Sequence, residues 1–251
     1  MKHLAAAALA TTILSGPALA ADLEPLDIPP NYSAFVSIKA GYGPSLIDND
    51  FEGDESSGSF DDDYIVGGSV EAGYFLTERF RLSAEVNYGR IEHDRQIING
   101  TAFQLDGGTN LTQVFAKAAY EVPLADLGLT APIFERSAIV ALGGIGFTHI
   151  NSGGRLRADA GILNPLAAGI PITGVQEEED TVFSAKVGLG STYRLTDRID
   201  IVSETSFIFG SDAKLTSEFA VPAALGGGTA VSTSRVETRA VVSQVGIRFR
   251  F

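Results

Sequence analysis

The chain has no cysteine and no tryptophan, and its one methionine is residue 1. Without cysteine there is no disulfide framework and no thiolate metal site. Long apolar runs are missing too. A membrane helix needs about 20 apolar residues, whereas the longest run after the N-terminus, Ala138 to Phe147, is ten residues with three glycines. Basic charge is scarce: 18 Lys and Arg stand against 31 Asp and Glu, for a net charge of -13. Nucleic-acid binding needs a basic footprint and is excluded on that ground. Acidity with few hydrophobic residues would indicate disorder, but 45% of the residues are hydrophobic, so the chain can bury surface.

The N-terminus reads as an export signal. Lys2 and His3 precede an apolar stretch from Leu4 to Leu14, then Gly16-Pro17 and Ala18-Leu19-Ala20. A short basic region, a short apolar core and an A-x-A site predict cleavage after Ala20. Loss of Lys2 with this segment takes the net charge from -13 to -14. The predicted organisation is a signal peptide over 1–20, a periplasmic segment over 21–31 and one β-barrel over 32–251.

The barrel expectation rests on alternation of fixed length. From Tyr32, the even positions Ala34, Val36, Ile38, Ala40 and Tyr42 are apolar or aromatic, while the odd ones include Ser33, Ser37, Lys39 and Gly41. Period two marks a two-faced strand. The same span recurs from Tyr64 to Tyr74, Phe183 to Tyr193, Ile199 to Phe209 and Val241 to Phe251. Eight strands are predicted, near 32–43, 64–75, 80–91, 111–121, 137–149, 182–194, 198–209 and 238–251. Ten steps of ~3.3 Å, tilted by ~40°, rise about 25 Å, the height of a membrane barrel's apolar band. Tyr32, Tyr42, Tyr64, Tyr74, Tyr88, Tyr120 and Tyr193 all fall near strand ends, as an aromatic girdle at both interfaces requires. A soluble β-sandwich also alternates, but nothing in it demands aromatics at both ends of such a ruler.

The opposite faces carry Lys39, Glu71, Arg81, Glu85, Lys117, Lys186, Glu204 and Arg248, with Asn87, Gln244 and Arg250. Charges of both signs at mid-membrane are costly in lipid and are predicted to pair in a narrow lumen. Connections alternate in length. Leu76-Thr77-Glu78-Arg79 and Leu195-Thr196-Asp197-Arg198 predict tight periplasmic turns, with residues 122–136 as the third and longest. Segments 44–63, 92–110, 150–181 and 210–237 are predicted to be extracellular loops. The fold class is all-β: an eight-stranded antiparallel up-and-down transmembrane barrel.

The ending Val245-Gly246-Ile247-Arg248-Phe249-Arg250-Phe251 resembles the C-terminal signature that outer-membrane barrels present to their assembly machinery, with Ile247, Phe249 and Phe251 on one face. The stretch Ile139-Val140-Ala141-Leu142-Gly143-Gly144-Ile145-Gly146 and the Leu-Thr-Asp-Arg turn after Tyr193 resemble opacity-protein-like surface antigens, small OmpA-type barrels of proteobacteria, including alphaproteobacteria. That resemblance covers residues 31–251. It implies an outer-membrane surface protein assembled in lipid. Acids at the outer rim are further expected to meet the divalent cations that bridge lipopolysaccharide phosphates, and a host or cell-surface ligand is the partner expected of the loops if they act as an adhesin. No segment resembles a peptidoglycan-binding domain, so a wall tether of that kind is not expected.

Catalytic signals are sparse. After the signal only His93 and His149 remain, and no nucleophile motif surrounds Ser152 near His149; catalysis needs nucleophile, base and orienting group together. No enzyme activity and no cofactor are expected. The first loop carries eight acids between Asp48 and Asp63. Asp48, Asp50, Glu52 and Gly53 match positions 1, 3, 5 and 6 of a calcium loop, but Ser59 stands where the bidentate Glu belongs. They are candidate divalent-ion ligands beside the plainer reading of a hydrated acidic loop. The functional expectation is a non-enzymatic surface protein supporting envelope integrity. The alternatives are a narrow solute channel and an adhesin acting through its loops.

Overall fold

The computed structural model describes residues 34–44, 49–50, 64–92, 96–98, 101–159, 171–220, 227–236 and 239–251. The signal peptide, the 21–31 segment, Tyr32, Asp48, Glu52 and His93 lie outside the described residues, as does the side chain of Asp50. The strands are β1 (Ala34–Pro44), β2 (Asn49–Asp50), β3 (Tyr64–Phe75), β4 (Phe80–Glu92), β5 (Gln96–Ile98), β6 (Thr101–Pro123), β7 (Ser137–Asp159), β8 (Pro171–Arg194), β9 (Ile199–Gly210), β10 (Ala213–Ala220), β11 (Thr229–Val236) and β12 (Arg239–Arg250).

Eight of them, β1, β3, β4, β6, β7, β8, β9 and β12, pair antiparallel in that order. β12 then pairs with β1 from Phe35↔Arg250 to Tyr42↔Ser243. The ring is closed, which leaves no unpaired barrel edge for lipid to meet. Alternation decides the two faces. In β1 the odd residues Phe35, Ser37 and Lys39 are buried, while Ile38 is 58% and Tyr42 52% exposed. Around the barrel Val70, Val86, Val114, Ile145, Val187, Val245 and Ile247 are likewise exposed. The outer wall is thus an apolar band, and the polar residues are inside.

Two turns are built alike because their sequences are alike. In Leu76–Arg79, the Leu76 and Thr77 amides donate to the Phe80 carbonyl (2.9 and 3.2 Å), and Thr77 Oγ1 accepts from the Arg79 and Phe80 amides (3.3 and 2.9 Å). Leu195–Arg198 repeats this around the Ile199 carbonyl (2.9 and 3.0 Å) and Thr196 Oγ1 (3.2 and 3.1 Å). The third connection is shorter than the 122–136 expected. Val122 and Pro123 still pair with Ile139 and Ala138. A 3-10 turn, Leu124–Leu127, follows, stopped by Gly128 at φ 81°, a left-handed conformation glycine adopts freely. A one-turn helix, Pro132–Glu135, completes it.

At the opposite end the strands outrun the expected boundaries. All 23 residues of β7 pair with β8, from Ser137↔Tyr193 to Asp159↔Pro171. β6 pairs with β7 up to Gln104↔Arg157. β10 and β11 form a hairpin joined to β8, and β2 pairs with β11 through Arg235↔Asp50 and Val236↔Asn49. Much of segments 92–110, 150–181 and 210–237 is therefore sheet. Within these segments Gly107↔Gly154 and Gly108↔Gly153 face each other in the ladder.

Candidate functional site

Inward positions place five cations and five acids out of solvent: Lys39, Arg81, Lys117, Lys186 and Arg248 with Glu71, Glu85, Glu121, Asp200 and Glu204. They form two groups. At mid-height Lys39 Nζ donates to Glu71 (2.9 Å), Glu85 (2.8 Å) and Glu204 (3.0 Å). Lys117 Nζ reaches the same three, Glu71 at 3.2 Å, Glu204 at 2.9 Å, and Glu85. Lys186 bonds Glu85 (2.7 Å) and Glu204 (2.8 Å). An ammonium has three donors, and Lys39 and Lys117 each give one to each of three carboxylates. Three glutamates converging within 4.8 Å would suit a metal ion, but two ammoniums already bind all three.

Local sequence makes this possible. Gly144 stands opposite Lys117 on one side and Lys186 on the other. A Cβ there would lie 2.9 Å from the Ala116 carbonyl oxygen, 3.1 Å from Lys117 Cγ and 3.3 Å from Lys186 Cγ. The missing side chain is the space both lysine stems use. Lys186 Nζ also lies 5.4 Å from the Phe115 ring centroid.

The second group closes the turn end. Glu121 accepts from Arg248 (2.7 Å) and from Arg81, while Asp200 Oδ2 accepts from Arg248 and Arg250 (both 2.7 Å). These guanidiniums interleave with two rings. Arg81 and Arg248 each lie 5.6 Å from the Phe35 centroid, and Arg248 and Arg250 lie 5.2 and 5.0 Å from that of Phe75. Desolvated cation–π contacts of this kind add attraction to the burial of both partners. At the loop end the lumen turns apolar, with Ile65, Ile91, Leu111, Ile150, Val182, Ala213 and Ala240 forming one buried cluster.

All eight sequence-predicted lumen charges thus meet one another or the arginine floor. Glu121 and Asp200 were not anticipated. Yet Glu121 shares the parity of Lys117, and Asp200 that of Glu204, so strand alternation places both inside. The apolar collar was missed as well, although Ile65 shares the parity of Glu71 and Leu111 that of Lys117. Tyr42, Tyr64, Tyr74, Tyr88 and Tyr120 are about half exposed on the outer wall, from 46% to 54%. Tyr193 is a correction: it is 5% exposed. Its neighbour Arg194 donates its amide to the Arg136 carbonyl at 2.9 Å, so the chain arriving from the helical connection, not lipid, adjoins this end of β8. Ile247 and Phe249 lie exposed on the outer face of β12, and Phe251, just after it, is exposed as well. His149 is half-buried and meets Thr181 Oγ1 at 3.0 Å, while Ser152 is buried and bonded to Thr109 at 3.1 Å. Their opposite parity puts them on opposite faces of the sheet, so Ser152 and His149 do not pair with each other.

Residues 6–249 match the family described as outer membrane protein beta-barrel domain. None of the curated protein sequences matches the chain. Among solved structures, the chain is similar to Neisserial surface protein A, at 16% identity over 87% of this chain and 97% of that one, with a TM-score of 0.40. A major outer membrane protein from Thermus thermophilus is 13% identical over 88% of this chain and 100% of that one, with a TM-score of 0.49. The outer membrane protein OprG from Pseudomonas aeruginosa is 12% identical over 90% and 99%, with a TM-score of 0.48.

Proposed function

The chain belongs to the outer membrane protein β-barrel domain family and resides in the bacterial outer membrane; on that premise we propose that it is a closed, non-enzymatic barrel that holds structured loops at the cell surface and supports envelope integrity. The observation that carries this reading is the filled lumen. Ten ionised side chains are buried in balanced pairs across it, and an apolar collar stops its loop end. An eight-stranded barrel is just wide enough for side chains to fill, which favours an anchor over a solute channel. The turns and both barrel ends at Ala34 and Arg250 face the periplasm in this orientation, and the extended β6, β7 and β8 face outward. That tall sheet favours contact with lipopolysaccharide or a ligand on another cell as the second role. The signal over 1–20 brings the chain to export, and the exposed Ile247, Phe249 and Phe251 present it to the assembly machinery. Purified protein in planar bilayers is expected to show no large, steady conductance while shifting in mobility on heating, as folded barrels do. Stable single-step conductance would replace the anchor with the channel.

A further inference from the structure

The connection between β6 and β7 is apolar where the two tight turns at the same rim are polar. Residues 127–134, Leu-Gly-Leu-Thr-Ala-Pro-Ile-Phe, carry no charge, whereas Thr77-Glu78-Arg79 and Thr196-Asp197-Arg198 carry two charges each. We propose that this connection is a lipid-binding element that seats Leu127 and Leu129 among the phospholipids of the periplasmic leaflet.

Three observations carry it. The first is that the segment's apolar side chains do not serve the barrel. No residue from Leu124 to Glu135 is buried, and Leu127 and Leu129 are 57% and 41% exposed. A contiguous apolar stretch left at the surface marks contact with a membrane or another molecule.

The second is that the segment is tied along the rim instead of hanging below it. Asp126 pairs with Arg79 of the β3–β4 turn at 2.9 Å. Ser137 Oγ donates to the Ile133 carbonyl at 2.8 Å, and the Arg194 amide donates to the Arg136 carbonyl at 2.9 Å. It therefore runs from the β4 side to the β8 side, past the ends of β6 and β7. There it adjoins Tyr193, which faces outward by alternation yet is only 5% exposed, so this end lies against the outside of the wall.

The third is continuity with the lipid-facing band. The outward Tyr120 and Ile139, on the strand ends that enter and leave the connection, are 46% and 42% exposed, and Leu76 of the neighbouring turn is 56% exposed. Leu127 and Leu129 continue that apolar rim, and the acid beside them, Asp126, is already matched by Arg79. The phase that covers the band is lipid, and short amphipathic segments settle at its boundary of headgroups and acyl chains. Interfacial anchors set tilt and depth, so this one fixes how far β6, β7 and β8 stand above the opposite surface. Only the choice of leaflet rests on the orientation given above.

The chain has no native tryptophan, so a single one reports its own surroundings. Leu127→Trp and Leu129→Trp barrels, refolded into phosphatidylcholine vesicles, should give blue-shifted emission. They should lose most of it when the lipid carries bromine near the headgroup end of its acyl chains. Bromine near the chain termini should quench them less, and should quench Val187→Trp, on the outward face at mid-height, more. Glu78→Trp, in the neighbouring turn, should stay red-shifted and unquenched. Should one leucine variant fail to shift in mobility on heating, the other reads the site alone. Water-like emission at the leucine positions overturns the proposal. So does blue-shifted emission that brominated lipid leaves intact, the result expected of a second copy of the chain, or equal quenching of Glu78→Trp. Stable conductance would instead remove the closed-barrel reading and leave this contact standing.

Discussion

Glu71 and Glu85 are direct cross-strand partners on the inward face of β3 and β4. Like charges in that relationship destabilise a sheet. Here neither strand supplies the cation. Lys39 from β1 and Lys117 from β6 bridge both acids, so the pair is stable only once the strands on either side have joined the hairpin. The charge group therefore ties non-adjacent strands together, β1 to β9 through Lys39–Glu204 and β4 to β8 through Glu85–Lys186.

Removing a shared acid should strand several bases. Glu85→Ala leaves Lys39, Lys117 and Lys186 short of one acceptor each, and a loss of about 3–5 kcal/mol is expected from breaking a buried pair. Urea titration of the refolded protein in detergent measures it. A change below the effect of an outward Val86→Ala control would show that the lysines repartner at no cost.

Gly144 should not accept even a methyl group. Gly144→Ala puts Cβ against the Ala116 carbonyl and both lysine stems, and overpacking of this kind costs about 1–3 kcal/mol. By contrast, Gly143→Ala meets only the Lys186 carbonyl oxygen at 3.8 Å and should be nearly neutral. The two unfolding midpoints, compared directly, test the contrast.

The paired turns give an internal control. Thr77→Val and Thr196→Val each remove an acceptor of two amide hydrogen bonds. Each should cost about 1 kcal/mol, the net worth of a typical hydrogen bond or two near water. Because the turns are far apart in sequence and share no partner, the double variant should lose the sum. Unfolding free energies of the two singles and the double provide the check.

Export should leave a defined end. Cleavage after Ala20 predicts that the protein recovered from outer membranes begins Ala21-Asp22-Leu23. N-terminal sequencing reads this directly, and an intact Met1 there would refute it.

How far the sequence was legible follows from where lipid is. Within the membrane one face must be apolar and the other polar, so period two is enforced. The strands expected at 64–75 and 198–209 match Tyr64–Phe75 and Ile199–Gly210 within a residue. Beyond it both faces of β7 and β8 can meet water, alternation is not demanded, and strand residues such as Gly153 and Gly154 looked like loop. The same reasoning located the lysine–glutamate group, since a charge on a lipid-flanked strand has one place to go. It did not reach Tyr193, whose environment is set by a helical connection arriving from elsewhere in the chain. Ile65, Ile91 and Leu111 carry the inward parity too, but an apolar residue at an inward position brings no charge that must be kept from lipid, so alternation placed them without marking the collar they form.

The arginine floor also bears on accuracy of assembly. In β12 the outward Ile247 and Phe249 alternate with the inward Arg248 and Arg250, and the latter two are held by Asp200, Glu121 and the Phe75 ring. A slip of one residue against β1 would exchange the two sets at once, turning both guanidiniums toward lipid at a cost of up to about 2–4 kcal/mol each at the midplane and less near the interface, while breaking every contact of the floor. The last strand to dock thus proofreads its own register: a barrel sealed one step out of place loses its closing contacts and can reopen, whereas the correct seam locks.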